Sequence, residues 1–211
     1  MPIIKTHSKL IYFAHVPKCG GASVDEYLIK RFGLQNIGFL DSRFSNAEHV
    51  NSWNKTSPQH ITYVHRQKIM PDAIFDHQFA VVRHPMNRVI SMFKFNGRRL
   101  RGQTFTSWLL GLARLRKENP YYLDNHPRPA IEIVPPGAKV FKLEDGLDAI
   151  PPWVDKMLGS LDPNNLKIAH VNKSPQQAPD VVFNDGDVEM VYELYKKDYD
   201  HFGYERNNFN V

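Results

Sequence analysis

Apolar, β-branched or aromatic residues gather in four short runs, Leu10–Val16, His60–His65, Phe79–Val82 and Ala138–Leu143, each bounded by turn or polar residues. Short unbroken runs of this kind are what strands of a parallel sheet present, because both of their faces are covered. Between them the apolar positions recur at helical spacing. The predicted helices are Gly21–Phe32 with Gly33 as its stop, Met86–Asn96, Thr104–Glu118, Pro151–Leu158 and Asp187–Phe202. In the last, Asp187 is placed to cap a segment whose Val188, Val191, Leu194 and Tyr195 share one face. Strands alternating with helices predict an α/β fold, a central and mainly parallel β-sheet flanked by helices. The stretches Gln35–Ser57, Asn119–Gly137 and Asp162–Asp185 carry no such period, and loops that long in a compact domain are commonly functional.

Composition narrows the class. The 211 residues suit a single domain over 1–211, and 27 Lys plus Arg against 22 Asp plus Glu leave a formal charge of +5. That surplus favours anionic ligands but is too diffuse to predict nucleic acid as a partner. One cysteine excludes an internal disulfide and points to a reducing compartment. The first residues are too polar for a secretory signal, and no apolar run reaches membrane-spanning length, so a soluble, cytoplasmic protein is expected.

The candidate chemistry begins where the first run stops, at Pro17-Lys18-Cys19-Gly20-Gly21-Ala22-Ser23. A strand entering a glycine-bearing turn at a helix start makes an anion cradle. Glycines let backbone N–H groups approach an oxyanion, the helix N-terminus adds partial positive charge, Lys18 adds a full one, and Ser23 can donate its hydroxyl. Cys19 beside Lys18 at a helix start has the setting of a reactive thiol of lowered pKa, although a small residue filling the turn is the favoured reading.

The segment from Phe79 to Ser91 repeats the logic. Pro85 ends a strand and opens a helix, which places Arg83 at the strand's carboxyl end, where open α/β sheets bind ligands. Arg83 and Ser91 together can hold one phosphate. Two anion sites on one sheet edge predict a ligand with two anionic groups.

Pro-Lys-x-Gly-Gly-x-Ser followed by Arg-His-Pro-x-x-Arg-x-x-Ser resembles the paired signatures of sulfotransferases that use 3'-phosphoadenosine 5'-phosphosulfate, and within them a soluble, bacterial-like member of the carbohydrate branch. Val140–Asp145, His170–Ser174 and Tyr195–Tyr204 look like later family segments in the usual order, so the resemblance covers nearly the whole chain. It implies a P-loop-like three-layer fold, a phosphosulfate nucleotide as donor, no metal, and a carbohydrate or other hydroxyl-bearing acceptor. It also implies that Pro17 to Ser23 grip the 5'-phosphosulfate with Lys18 at the leaving oxygen, that Arg83 and Ser91 hold the 3'-phosphate, and that Lys173 and Ser174 close over the nucleotide. Cys19 and Ala22 depart from the family, which often has threonines there.

Sulfuryl transfer needs in-line oxygens, positive charge where negative charge develops, and a group to take the acceptor's proton. His65, at the end of Ile61-Thr62-Tyr63-Val64, is the expected base, because that run would reach the same sheet edge as the cradle and relatives often carry a histidine after this strand. His126, with Arg128, is assigned to acceptor contact and is second choice as base. His84 and His15 read as scaffold, and Arg98-Arg99-Leu100-Arg101 as a solvated helix end. Two rivals are a nucleotide kinase, which would need Gly-Lys-Ser/Thr rather than a lysine ahead of the glycines, and a noncatalytic nucleotide- or glycan-binding module.

Overall fold

A computed structural model describes residues 2–39, 55–96, 100, 102–169 and 180–209. The strands are β1 (Ile3–Lys5), β2 (Leu10–Ala14), β3 (Ile37–Gly38), β4 (His77–Val82) and β5 (Lys139–Lys142), in the spatial order β3-β1-β2-β4-β5. β2, β4 and β5 are mutually parallel; β1 runs against both β2 and β3. Four of the five strands therefore point one way, and helices flank the sheet, which makes it the α/β fold expected from the sequence.

The helices are α1 (Gly21–Phe32), α2 (Tyr63–Ile69), α3 (Pro85–Phe95), α4 (Phe105–Glu118), α5 (Ile150–Leu158) and α6 (Asp185–Phe202). Five lie within two residues of the predicted bounds. The sixth, α2, is a correction: His60–His65 is not a strand, but a 3-10 turn over Pro58–His60 followed by the start of α2. The reason is tertiary. Arg66 is fully buried, donating to Asp72, Gln78 and the Met70 carbonyl, with its guanidinium close to the Tyr12, Tyr63 and Phe75 rings. Only a helical turn beginning at Thr62 delivers it there, and that burial outweighs the β preference of Ile61-Thr62-Tyr63-Val64. A smaller correction concerns α6. Its cap is Asn184, and Asp187 takes the third helical position, completing a reciprocal capping box.

The core has two parts. Sheet residues such as Phe13, Phe79 and Phe141 cluster with Val24, Tyr27 and Leu28 of α1 and Ile150 and Val154 of α5. Phe13 pairs directly with Phe79 across the parallel ladder, ring centroids 4.8 Å apart. A second cluster joins α3, α4 and α6 through Met92, Phe93, Trp108, Leu109, Val191 and Tyr195. Among the described residues no helix is long and apolar enough to cross a membrane.

Between the sheet edge and α6 lies Arg88 of α3, 1 % exposed. Its Nε donates to the Pro17 carbonyl at 3.1 Å, and its Nη2 donates to the carbonyls of His126, at 2.9 Å, and Arg128. Nη1 faces Asp198 at 3.6 Å, and the Asp198 carboxylate in turn accepts from the Ala130 and Ile131 amides. A guanidinium suits this place because its fixed fork of donors meets several acceptors at once. Arg88→Met removes the donor from three carbonyls and the counter-charge from Asp198, and we expect a loss of about 3–5 kcal/mol in urea unfolding. Arg88→Lys, which keeps the charge but not the fork, should recover only part of it.

Candidate active site

β2 and β4 are in register from Ile11 opposite His77 to Ala14 opposite Ala80, so the chain leaves both strands at one edge of the sheet. The first exit is the glycine turn. Lys18 and Gly20 adopt left-handed backbone, φ 65° and 79°. Gly20 cannot carry a side chain easily, since a Cβ there would stand 2.9 Å from Leu143. At Gly21 the obstacle is His15, whose Nε2 would lie 2.0 Å from a Cβ. His15 is itself held by Asp25 and Gln59 beneath the turn, in keeping with its reading as scaffold.

Helix α1 starts without a side-chain cap, whereas α4 and α6 are capped by Thr104 and Asn184. Ser23 and Val24 donate back to the Gly20 carbonyl, whereas the Gly21 and Ala22 amides precede the first helical bond and face the helix start. The second exit carries Arg83, whose Nη1 reaches the Lys18 carbonyl at 3.4 Å. The two predicted anion sites are thus neighbours. Ser91 sits half-buried on α3, about 9 Å along the axis from the helix start. His84 caps α3 through Nδ1 and donates Nε2–H to the Glu205 carbonyl, a buried structural role as expected. Lys173 and Ser174 lie outside the described residues, as do Arg98, Arg99 and Arg101.

Lys18 is poised for an anion. Its Nζ lies 3.8 Å above the ring of Phe95, at the end of α3. Burial pushes its ammonium down to about 8, and the nearby Arg83 charge adds to the shift against a smaller opposing effect of Cys19. Cys19 does not have the lowered pKa of a reactive thiol. Burial pushes the thiol up to about 12, with Arg88 and Arg83 pulling the other way, and its Sγ–H points at the Pro17 carbonyl, so it fills the turn.

The histidines are arranged differently from the expectation. His65 is on α2, where Nδ1 bonds the Thr62 hydroxyl at 2.8 Å and the ring lies 6.1 Å from Tyr121. Its contacts are with that rim and not with the cradle. His126 shares Phe95 with Lys18: its ring is stacked with Phe95, centroids 6.0 Å apart, while the Lys18 ammonium lies over the same ring. A third histidine, His60, joins His126. His60 and His126 meet edge to face with centroids 4.8 Å apart, and His60 Nδ1 bonds Asp124 at 2.8 Å. Asp124 also accepts from the Ser57 amide, at 2.5 Å, and the Ser57 hydroxyl, at 2.7 Å. Burial would raise the Asp124 carboxyl, but these bonds with His60 and Ser57 hold it below its usual range. Burial drives both histidines far below theirs, so each is neutral near pH 7. His126 Nδ1–H donates to the Leu123 carbonyl, and His60 Nδ1–H to Asp124, which leaves Nε2 of each as an acceptor. No local signal marks these roles, because Asp124 meets Ser57 and His60 across more than sixty residues of chain.

Arg128 is engaged with its own loop, Nε on Asn125 and Nη1 on Glu132, while its guanidinium lies near Tyr121. His60, Asp124 and His126 also offer ligand atoms within 4.8 Å of one another, the spacing of a metal site. Asp124 is already taken up by Ser57 and His60, and the Lys18 ammonium, whose charge reaches His126, opposes a cation there.

Neither a curated protein nor a solved structure matches the chain. A family model does, over residues 2–137, a span that holds the glycine turn, Arg83, Ser91 and the three histidines. The chain belongs to the sulfotransferase family.

Proposed function

We propose that the protein transfers a sulfuryl group from 3'-phosphoadenosine 5'-phosphosulfate to a hydroxyl of a carbohydrate acceptor. The observation that carries this reading is the adjacency of Lys18 and Arg83 at two parallel strand ends, beside the uncapped start of α1. Lys18 and the amides of Gly21 and Ala22 hold the 5'-phosphosulfate, with Ser23 assisting. Arg83 holds the 3'-phosphate with Ser91, and Lys173 and Ser174 cover the nucleotide.

The base is His60. Its Nδ1–H on the Asp124 carboxylate fixes the tautomer and stabilises the imidazolium that forms. Nε2 takes the acceptor's proton as the new O–S bond forms, and Lys18 neutralises the phosphate oxygen released when the old S–O bond breaks. His126, edge to face with His60 and stacked with Phe95, contacts the acceptor, and Arg128 shapes the loop that presents it. Charge stabilisation comes from Lys18 and helix amides, so a divalent cation is not needed, and transfer should survive EDTA.

Ligand linkage tests the donor. 3'-Phosphoadenosine 5'-phosphate should raise Tm well above the shift given by ATP with magnesium; equal shifts would count against the reading. Tight nucleotide binding without turnover on any acceptor would instead favour a noncatalytic module.

Substitutions test the chemistry. Lys18→Ala should abolish transfer, and His60→Ala should lower kcat about 100-fold or more with nucleotide affinity kept. His65→Ala should stay within about threefold of the parent. Full turnover in His60→Ala would move the base to His126.

The lysine also sets a pH limit. Its pKa near 8 in the free protein means that the charged form is lost as pH rises through that value. kcat/KM should therefore fall above about pH 8, and in Lys18→Arg the residual activity should show no such limb.

A further inference from the structure

The Lys18 ammonium differs from the protein's other buried cations. Arg31, Arg66 and Arg88 each face an aspartate. Lys18 is half-buried beside the like charge of Arg83, and among the described residues neither a carboxylate nor a hydrogen-bond acceptor meets its Nζ. What meets it is a ring, the Phe95 centroid lying 3.8 Å away. No other cation in the described residues comes so close to a ring; the next is Lys142 over Tyr204, at 4.5 Å. The negative face of a ring attracts a cation, and more strongly where water is displaced.

Phe95 is the second observation. It closes α3 but is 60 % exposed, whereas Phe93 of the same helix packs into the core against Phe105 and Trp108. Burial therefore does not account for a large ring at 95. Its neighbours do: Lys18 over its face, and His126 stacked with it at an interplanar angle of 11°. One ring touches a group from the donor side of the site and a group from the acceptor side.

Resting on the sulfuryl-transfer reading above, we propose that Phe95 is a positioning residue, whose face keeps Lys18 charged and in place before the donor arrives and whose stack with His126 sets the acceptor loop against that lysine. An ammonium has three N–H donors, so those directed away from the ring stay available to a phosphosulfate oxygen. Near pH 8 the groups around the ammonium give it no other support. Arg83, from the end of β4, opposes its charge; the Cys19 thiol of its own turn, pushed up to about 12, and the His126 imidazole of the facing loop, pushed down to about 3, are both neutral there.

A lysine side-chain NMR titration of the free protein tests this, with Lys18→Arg assigning the signal. Phe95→Leu keeps apolar bulk and removes the ring face. In it Lys18 should lose its proton at a pH lower by about half a unit or more, and the alkaline limb of kcat/KM should move down with it. kcat at pH 7 should fall about threefold or more. Phe95→Tyr restores the face and should titrate within about 0.2 unit of the parent, with kcat recovered. Position 95 is exposed, so Tm should change little, and Phe95→Met serves if the leucine variant fails to fold. The role is overturned if Lys18 in Phe95→Leu titrates as in the parent, if Phe95→Tyr shifts it as far as leucine does, or if the kcat/KM limb does not follow. The titration needs no substrate, which separates the two ideas. Absence of turnover on any acceptor defeats the transfer reading, whereas an unmoved Lys18 in a protein that turns over defeats the role of Phe95 alone.

Discussion

One buried guanidinium holds the two walls of the site together. Arg88 donates to the glycine turn at Pro17 and to the opposite loop at His126 and Arg128, and Asp198 of α6 balances its charge. Taking such a charge out of water costs several kcal/mol unless carbonyls and a carboxylate replace the lost hydration. Here they do, and the replacement ties Lys18 to His126 by a path of a few bonds. Tyr195 strengthens the tie by donating to the Pro127 carbonyl and by lying close to the Arg88 guanidinium. Both α6 residues fall beyond the span the family model matches, so the part of the site it covers is completed by a helix it does not.

Burial then sets the protonation of four groups in the cleft. It makes the Lys18 ammonium, the imidazoles of His60 and His126 and the Cys19 thiol all favour their neutral forms. For the thiol this gives an inert filler. For Lys18 it gives an ammonium that is poorly solvated and resting on an aromatic face, with much to gain from an arriving anion. For the histidines it leaves Nε2 lone pairs open, with one ring held by a carboxylate that remains charged. The same low-dielectric setting that penalises these charges in the empty cleft strengthens their attraction to a sulfuryl donor.

Glycine has opposite settings at two places. At Gly20 and Gly21 there is no room for a Cβ, since Leu143 and His15 occupy it, and the close backbone is what an oxyanion needs. At Gly111, inside α4, a Cβ would meet nothing within 4 Å, and the helix would be more stable with one.

The local signals in the chain were enough for the sheet strands β2, β4 and β5, for most helices and for the two strand ends bearing Lys18 and Arg83. Pro17, Gly20, Gly21 and Pro85 act on their own neighbours, and register between parallel strands follows from the apolar runs. Strand β1 leaves no signal in the sequence, because three residues carry almost no period. His65 lies on a helix and not at a strand end, because Ile61-Thr62-Tyr63-Val64 favours a strand only locally and the burial of Arg66 against Asp72, Gln78 and the sheet turns it into a helix. The proposed base, His60, depends on tertiary structure entirely. His60 and Asp124 are 64 residues apart, and nothing within either segment predicts that a carboxylate from one will set the tautomer of an imidazole from the other. Chemistry written in adjacent residues can be read from the chain; chemistry made by a long-range hydrogen bond exists only once loop-closure entropy has been overcome by the packing around it.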